Sequence, residues 1–166
     1  MQPETNRVRP RDLRFAELSL AKENRIMSCS MLLVEDDATV LRTLKSVFES
    51  SCYEVFTAAS AKDAVAALTH QSFDVVITDM RMETDTAGYE VVRAAQAQEQ
   101  KPVIAILSAF PIPATEWRSS GADAMFLKGS GIRQVLDDLE RLVRERNQLK
   151  KPPVNSSTGV SGQKTR

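Results

Sequence analysis

Met31-Leu32-Leu33-Val34-Glu35-Asp36-Asp37 decides the fold: four apolar residues run without alternation into three consecutive acids. An unbroken apolar run of this length suits a strand buried on both faces, as in a parallel sheet covered by helices. The pattern recurs downstream. Val75-Val76-Ile77 leads to Asp79, Val103-Ile104-Ala105-Ile106-Leu107 ends at Ser108, and Met125-Phe126-Leu127 ends at Lys128. Adjacent parallel strands would bring these C-terminal ends to one crevice. Carboxylates, a hydroxyl and an ammonium far apart in sequence would meet there, a donor set suited to phosphate and a metal ion.

Five strands are expected, over about 31–35, 53–57, 75–79, 103–108 and 124–128, with helical patterns between them. Val40, Leu41, Leu44, Val47 and Phe48 form one stripe, Ala61, Ala64, Val65 and Leu68 a second, and Tyr89, Val92 and Ala95 a weaker third. The last helix carries Ile132, Val135, Leu136, Leu139, Leu142 and Val143 at steps of three and four. Pro111, Pro113 and Gly121 leave the fourth room for about two turns from Ala114. Alternating strands and helices of this kind make an α/β protein with helices on both faces of the sheet.

The 166 residues are 42% apolar, enough for one ordinary core. The expected division is a domain over 29–149, a partly helical or disordered extension over 1–28, and a disordered basic tail over 150–166. Zero net charge hides an asymmetry. Residues 30–140 hold 17 acids and 9 bases, whereas residues 141–166 hold 1 and 7. A basic tail can touch nucleic acid, but charges spread this thinly read as solvation, so nucleic acid and membrane are not expected partners. Cys29 and Cys52 form no C-x-x-C pair and are too few for a zinc site, so both are read as thiols in a reducing compartment. With no apolar run near the length of a membrane span and no secretory leader, a cytoplasmic protein is expected.

Acids gathered at one crevice repel: two like charges about 4 Å apart cost about 4 kcal/mol at an effective dielectric of about 20. A divalent cation removes that penalty, and oxygen-only ligands in an open crevice favour Mg²⁺ or Mn²⁺ over zinc. An ionised Asp79 beside such a metal could attack a phosphoryl group in line, with Lys128 and Ser108 holding its oxygens. Taken alone, the acids at 35–37 also suit the N-terminus of a helix, and His70 suits a helix C-terminus. Trp117 and Phe110 read as packing residues.

The stretches Val34-Glu35-Asp36-Asp37, Val76-Ile77-Thr78-Asp79-Met80, Leu107-Ser108-Ala109 and Gly121-Ala122-Asp123-Ala124 leading to Lys128 together resemble the receiver domain of two-component response regulators. The 43-residue step from Asp36 to Asp79 suits that family too. The resemblance covers about residues 30–149. It implies a flavodoxin-like five-stranded parallel sheet in order 2-1-3-4-5 and a phospho-acceptor Asp79, supplied by a histidine kinase or phosphotransfer protein. It implies Mg²⁺ held by Asp36, Asp79 and the Arg81 main-chain carbonyl, with Glu35 bound through water, Asp37 a neighbour, and Ser108 and Lys128 on the phosphoryl group. It further implies a signalling module whose only catalysis is its own phosphorylation and dephosphorylation.

The sequence departs from the family pattern in several places. Glu83 stands where a proline is usual four residues after the acceptor, and Gly88 comes one residue late, which suggests a longer, more acidic loop beside the metal. Met125 replaces a common aromatic, Phe126 follows it, and Gly129 replaces the proline after the lysine. By resemblance, Arg81 and Phe110 border the route of hydrolytic water. The residues after 149 are too few and polar for an output module, so the readout falls to a partner protein, an oligomer such as a homodimer, or onward phosphoryl transfer. The alternative is a phosphorylation-independent pseudo-receiver acting as a protein-interaction module. A metal-dependent phosphatase is disfavoured, because position 81 offers arginine in place of an acid.

Overall fold

The computed structural model describes residues 29–150. The expected extension over 1–28, and all but the first residue of the expected tail, lie outside the described residues. Strands and helices alternate: β1 (Cys29–Val34), α1 (Ala38–Ser50), β2 (Tyr53–Ala58), α2 (Ala61–His70), β3 (Val75–Asp79), α3 (Ala87–Gln96), β4 (Val103–Ser108), α4 (Ala114–Ser119), β5 (Ala124–Leu127) and α5 (Ile132–Lys150). The five strands form one parallel sheet in the order β2-β1-β3-β4-β5, the expected flavodoxin-like topology.

Side chains alternate across a strand, and here both faces are covered, so alternation does not show as polarity. Met31, Leu33, Val75, Ile77, Val103 and Ala105 face one core with Phe48 of α1 and Val135 and Leu139 of α5. Leu32, Val34, Val76, Ile104 and Ile106 face the other, against Ala64 and Leu68 of α2 and Val91, Val92 and Ala95 of α3. Register aligns the strand ends: Val34 pairs with Thr78, Asp79 with Leu107, and Ser108 with Leu127.

Four strand boundaries differ from expectation by one or two residues. β1 starts at Cys29 and stops at Val34, β2 gains Ala58, and β5 stops at Leu127. Glu35 and Lys128 therefore stand just beyond their strands. Two expected stripe residues face outward instead: Val65 is 36% and Ile132 39% exposed, because Ala61, Ala64 and Leu68, and Val135 and Leu139, already fill the contacts with the sheet. On α3 the buried face includes Val91 as well as Val92 and Ala95, while Tyr89 is half-buried. α4 is as short as its flanking prolines require, with no buried residue. Among the described residues, no helix is long and apolar enough to cross a membrane.

Candidate functional site

Asp79 closes β3, with the buried strand ends of β1 and β4 on either side. It is only 5% exposed, Glu35 1% and Ser108 4%, so these polar groups are held where water cannot solvate them freely. Burying ionised carboxylates is costly unless counter-charge is supplied. Lys128 supplies one positive charge. Its Nζ lies 2.7 Å from Asp79 Oδ2 and 2.8 Å from Glu35 Oε2, bridging the ends of β1 and β3 from the start of the β5–α5 loop.

Burial lifts the Glu35 carboxyl above its ordinary pKa and the charge of Asp79 adds to this, against the opposing pull of Lys128. Burial alone would lower Lys128; the Asp79 and Glu35 carboxylates beside it outweigh that and raise its pKa. Glu35, Asp36 and Asp79 each offer a carboxylate oxygen, all within 4.8 Å of one another. Three acids against one ammonium leave an excess of negative charge. Lys128 approaches Glu35 Oε2 closely but off the hydrogen-bonding direction, so that buried oxygen keeps an unfilled acceptor position. An oxygen-only cluster, net negative and with a buried acceptor to spare, fits a hard divalent cation or a water bound to one.

The remaining expected residues fall around this centre. Ser108 ends β4, its Oγ accepting from the Phe110 N–H at 3.2 Å, while its carbonyl accepts from the Lys128 N–H at 2.7 Å. The serine and the lysine are thus tied through backbone. Asp37, expected only as a neighbour, caps α1: its Oδ1 accepts from the N–H groups of Thr39 at 2.7 Å and Val40 at 3.0 Å, and those bonds lower its pKa. Of the three consecutive acids, Asp36 is exposed and belongs to the carboxylate cluster, Glu35 is buried, and Asp37 serves the helix.

Glu83 stands in the acidic loop that follows Asp79. Its Oε1 accepts from the Ala61 N–H at 2.9 Å, at the first turn of α2, so this acid is committed to a neighbouring helix end. Arg81 opens the same loop and is exposed; its guanidinium stands 5.2 Å over the Phe110 ring and 3.6 Å from Asp85. Phe110, read from sequence as packing, is 59% exposed and meets Arg81 across the mouth of the crevice. Trp117 does pack against the core, half-buried, as expected. Sequence reasoning missed Thr78, fully buried, whose Oγ1 donates to the Asp79 carbonyl at 2.9 Å. It also missed the bond from the Tyr89 hydroxyl to Glu116 Oε1, 2.9 Å, which joins α3 to α4. A strand-end Thr-Asp pair could have flagged the first; nothing local flags the second.

The chain resembles known proteins in sequence and in fold. The response regulator receiver domain model matches residues 31–140. The alginate biosynthesis transcriptional regulatory protein AlgB of Pseudomonas aeruginosa is 38% identical over 86 residues, which is 52% of this chain and 17% of that protein. The cell cycle response regulator CtrA of Brucella abortus is 27% identical over 47% of this chain and 33% of its own length. The chain thus spans between about a sixth and a third of these curated relatives. The chemotaxis response regulator CheY4 of Vibrio cholerae superposes with a TM-score of 0.62 at 28% identity, covering 69% of this chain and 98% of that one. The fold is shared also with TrrA of Thermotoga maritima, solved with Mg²⁺ and a beryllium fluoride, at TM-score 0.62 and 22% identity over 69% of this chain and 98% of that one. Sheet order, buried strand-end acids and the family match together place the chain in the response regulator receiver domain family of two-component signalling.

Proposed function

We propose that Asp79 accepts a phosphoryl group from a phosphohistidine on a histidine kinase or phosphotransfer protein, and that the phosphorylated domain is read by a partner protein. The observation that carries this is the Lys128 bridge between Asp79 and Glu35 at the convergent strand ends, inside a carboxylate cluster with negative charge to spare. Glu35, through water, with Asp36, Asp79 and the Arg81 main-chain carbonyl would hold Mg²⁺. Bound there, Mg²⁺ neutralises the carboxylates and the charge developing on the phosphoryl oxygens.

An Asp79 oxygen attacks phosphorus in line, the phosphorus–nitrogen bond to the donor imidazole breaks, and the imidazole leaves as a neutral base on taking up a proton. Asp79 is buried and held in place by Lys128, so little reorganisation precedes attack. Lys128 moves its hydrogen bond from carboxylate to phosphoryl oxygen, and Ser108 donates its hydroxyl to another. The adduct replaces the single carboxylate charge with about −1.5 to −2 at a nearly dry strand end. Ser108 and its loop are thereby drawn toward Asp79, and the β4–α4 segment takes a second arrangement.

The test is incubation with Mg²⁺ and a small phosphodonor such as acetyl phosphate, comparing the wild-type chain with Asp79→Asn by intact mass. One added phosphoryl group, dependent on Mg²⁺ and absent in the variant, is the expected result. No adduct in the wild type, together with amide shifts around Asp79 and Ser108 that ignore beryllofluoride, would leave the pseudo-receiver as the function.

A further inference from the structure

At the opposite end of the sheet from Asp79, Cys29 pairs in register with Tyr53 on the neighbouring parallel strand. Cys52 therefore stands one residue short of facing Cys29. A strand spacing of about 4.8 Å plus one peptide step of about 3.8 Å puts their Cα atoms no more than about 9 Å apart. Disulfides span Cα separations of about 4.4–6.8 Å. Both residues line one surface cavity of about 330 Å³, walled opposite by Leu136, Glu140 and Val143 of α5. Cys52 is exposed and Cys29 half-buried, and they are the only cysteines in the chain.

Cys52 has a second distinction. Its φ is 66°, and among the described residues it is the only non-glycine with positive φ. It follows Ser51, the C-cap of α1, at the position where a helix commonly stops on glycine. A side chain is disfavoured there because Cβ crowds the backbone carbonyl. Strained backbone of this kind gathers at functional positions, and here it presents a thiol at the cavity that Cys29 also lines.

We propose that Cys29 and Cys52 are a reversible dithiol–disulfide pair that responds to hydroperoxides. The exposed Cys52 thiolate attacks a peroxide oxygen; the O–O bond breaks, the leaving alkoxide takes up a proton as alcohol (water when the oxidant is hydrogen peroxide), and Cys52 becomes a sulfenic acid. The Cys29 sulfur then attacks the Cys52 sulfur, the S–O bond breaks, and water leaves as the disulfide forms. Two electrons and both thiol protons pass to the peroxide, and a small dithiol reverses the change. The bond would enclose α1, the helix whose N-cap Asp37 adjoins Asp36, and so restrain the element that opens at the carboxylate cluster.

The full chain is treated with hydrogen peroxide, its remaining thiols are capped with iodoacetamide, and intact mass and peptide mapping follow. Expected is an uncapped monomer two hydrogens lighter, with one linked pair joining Cys29 to Cys52, restored by dithiothreitol. Cys29→Ser should stop at a Cys52 sulfenic acid that dimedone traps. Cys52→Gly should form no link and melt at a higher temperature, since glycine suits the left-handed cap. Capping of Cys29 after Cys52 has been oxidised further, or a disulfide found only between chains, would overturn the proposal.

Discussion

Replacing Gly88 by alanine asks whether close packing of a helix on a strand end holds Asp79, the proposed acceptor, in place. Gly88 lies in the first turn of α3, and its N–H donates to the Met80 carbonyl at 3.0 Å. A Cβ there would stand 2.5 Å from the Asp79 carbonyl oxygen and 2.8 Å from Met80 Cα. Unstrained carbon contacts sit at about 3.5–4.0 Å, so helix and strand must separate by about 1 Å. Both obstacles are backbone, and no side chain can swing aside. Overpacking costs about 1–3 kcal/mol, and the better helix propensity of alanine returns up to about 1 kcal/mol. A net loss of about 1–2 kcal/mol lowers the melting midpoint by roughly 4–8 °C in a domain this size. Since Asp79 rides on the displaced backbone, its phosphorylation rate should fall about 100-fold, the usual effect of a 1 Å misplacement. Thermal melts by circular dichroism and timed phosphodonor reactions measure both. An alanine variant that melts with the wild type and accepts phosphate at the same rate would refute the idea that Gly88 positions Asp79.

Lys128→Met removes the cation beside the carboxylate cluster, so Mg²⁺ should bind roughly tenfold more tightly or better by calorimetry, repulsion between cations about 4 Å apart exceeding about 1.4 kcal/mol at an effective dielectric of about 20; equal or weaker binding would show that the lysine does not compete with the metal. Phe110→Glu replaces the apolar half of the Arg81–Phe110 contact over the crevice, admits water, and should speed decay of the phosphorylated form; an unchanged decay rate contradicts a shielding role. Glu83→Ala removes the acceptor of the Ala61 N–H, and should destabilise by about 1 kcal/mol and hasten exchange of that amide, whereas Glu83→Gln should retain both. Tyr53 and Tyr89, the chain's two tyrosines, are both pushed up to about 12, chiefly by burial, so phenolate absorbance should rise near pH 12 in the folded protein and near pH 10 in denaturant. Folded pKa values above the unfolded ones mean that this contribution to stability is complete below pH 10 and is lost between pH 10 and 12; a folded-state rise at pH 10 would contradict the burial of both rings.

A parallel sheet and the gathering of polar strand ends were legible in the sequence because doubly covered strands leave unbroken apolar runs, and each run here stops on a conspicuous polar residue; the strand order came only from the resemblance to receiver domains. Helix faces were less legible. Val65 and Ile132 fit a helical period yet face solvent, since small or central neighbours already meet the sheet. The contacts that specialise this domain were invisible. Glu83 to Ala61, Arg81 to Phe110, Tyr89 to Glu116 and Cys29 with Cys52 at one cavity each join residues more than 20 apart in sequence, and no local pattern encodes such pairs. Asp37 was a readable exception: an acid placed just before a helical stripe is the ordinary form of an N-cap.

The six residues of α4 have no buried member and no side-chain cap, and half-buried Trp117 and the Tyr89–Glu116 bond help tie them to the domain. Melting such a segment forfeits little apolar contact, so it belongs to the low end of the local-opening spectrum. A bias of about 1.4 kcal/mol at Asp79 then suffices to change the ratio of docked to frayed forms tenfold. On the proposed function, a short, weakly held helix would serve as a sensitive needle: the strand ends would supply the force, and the chain's economy at 114–119 the travel.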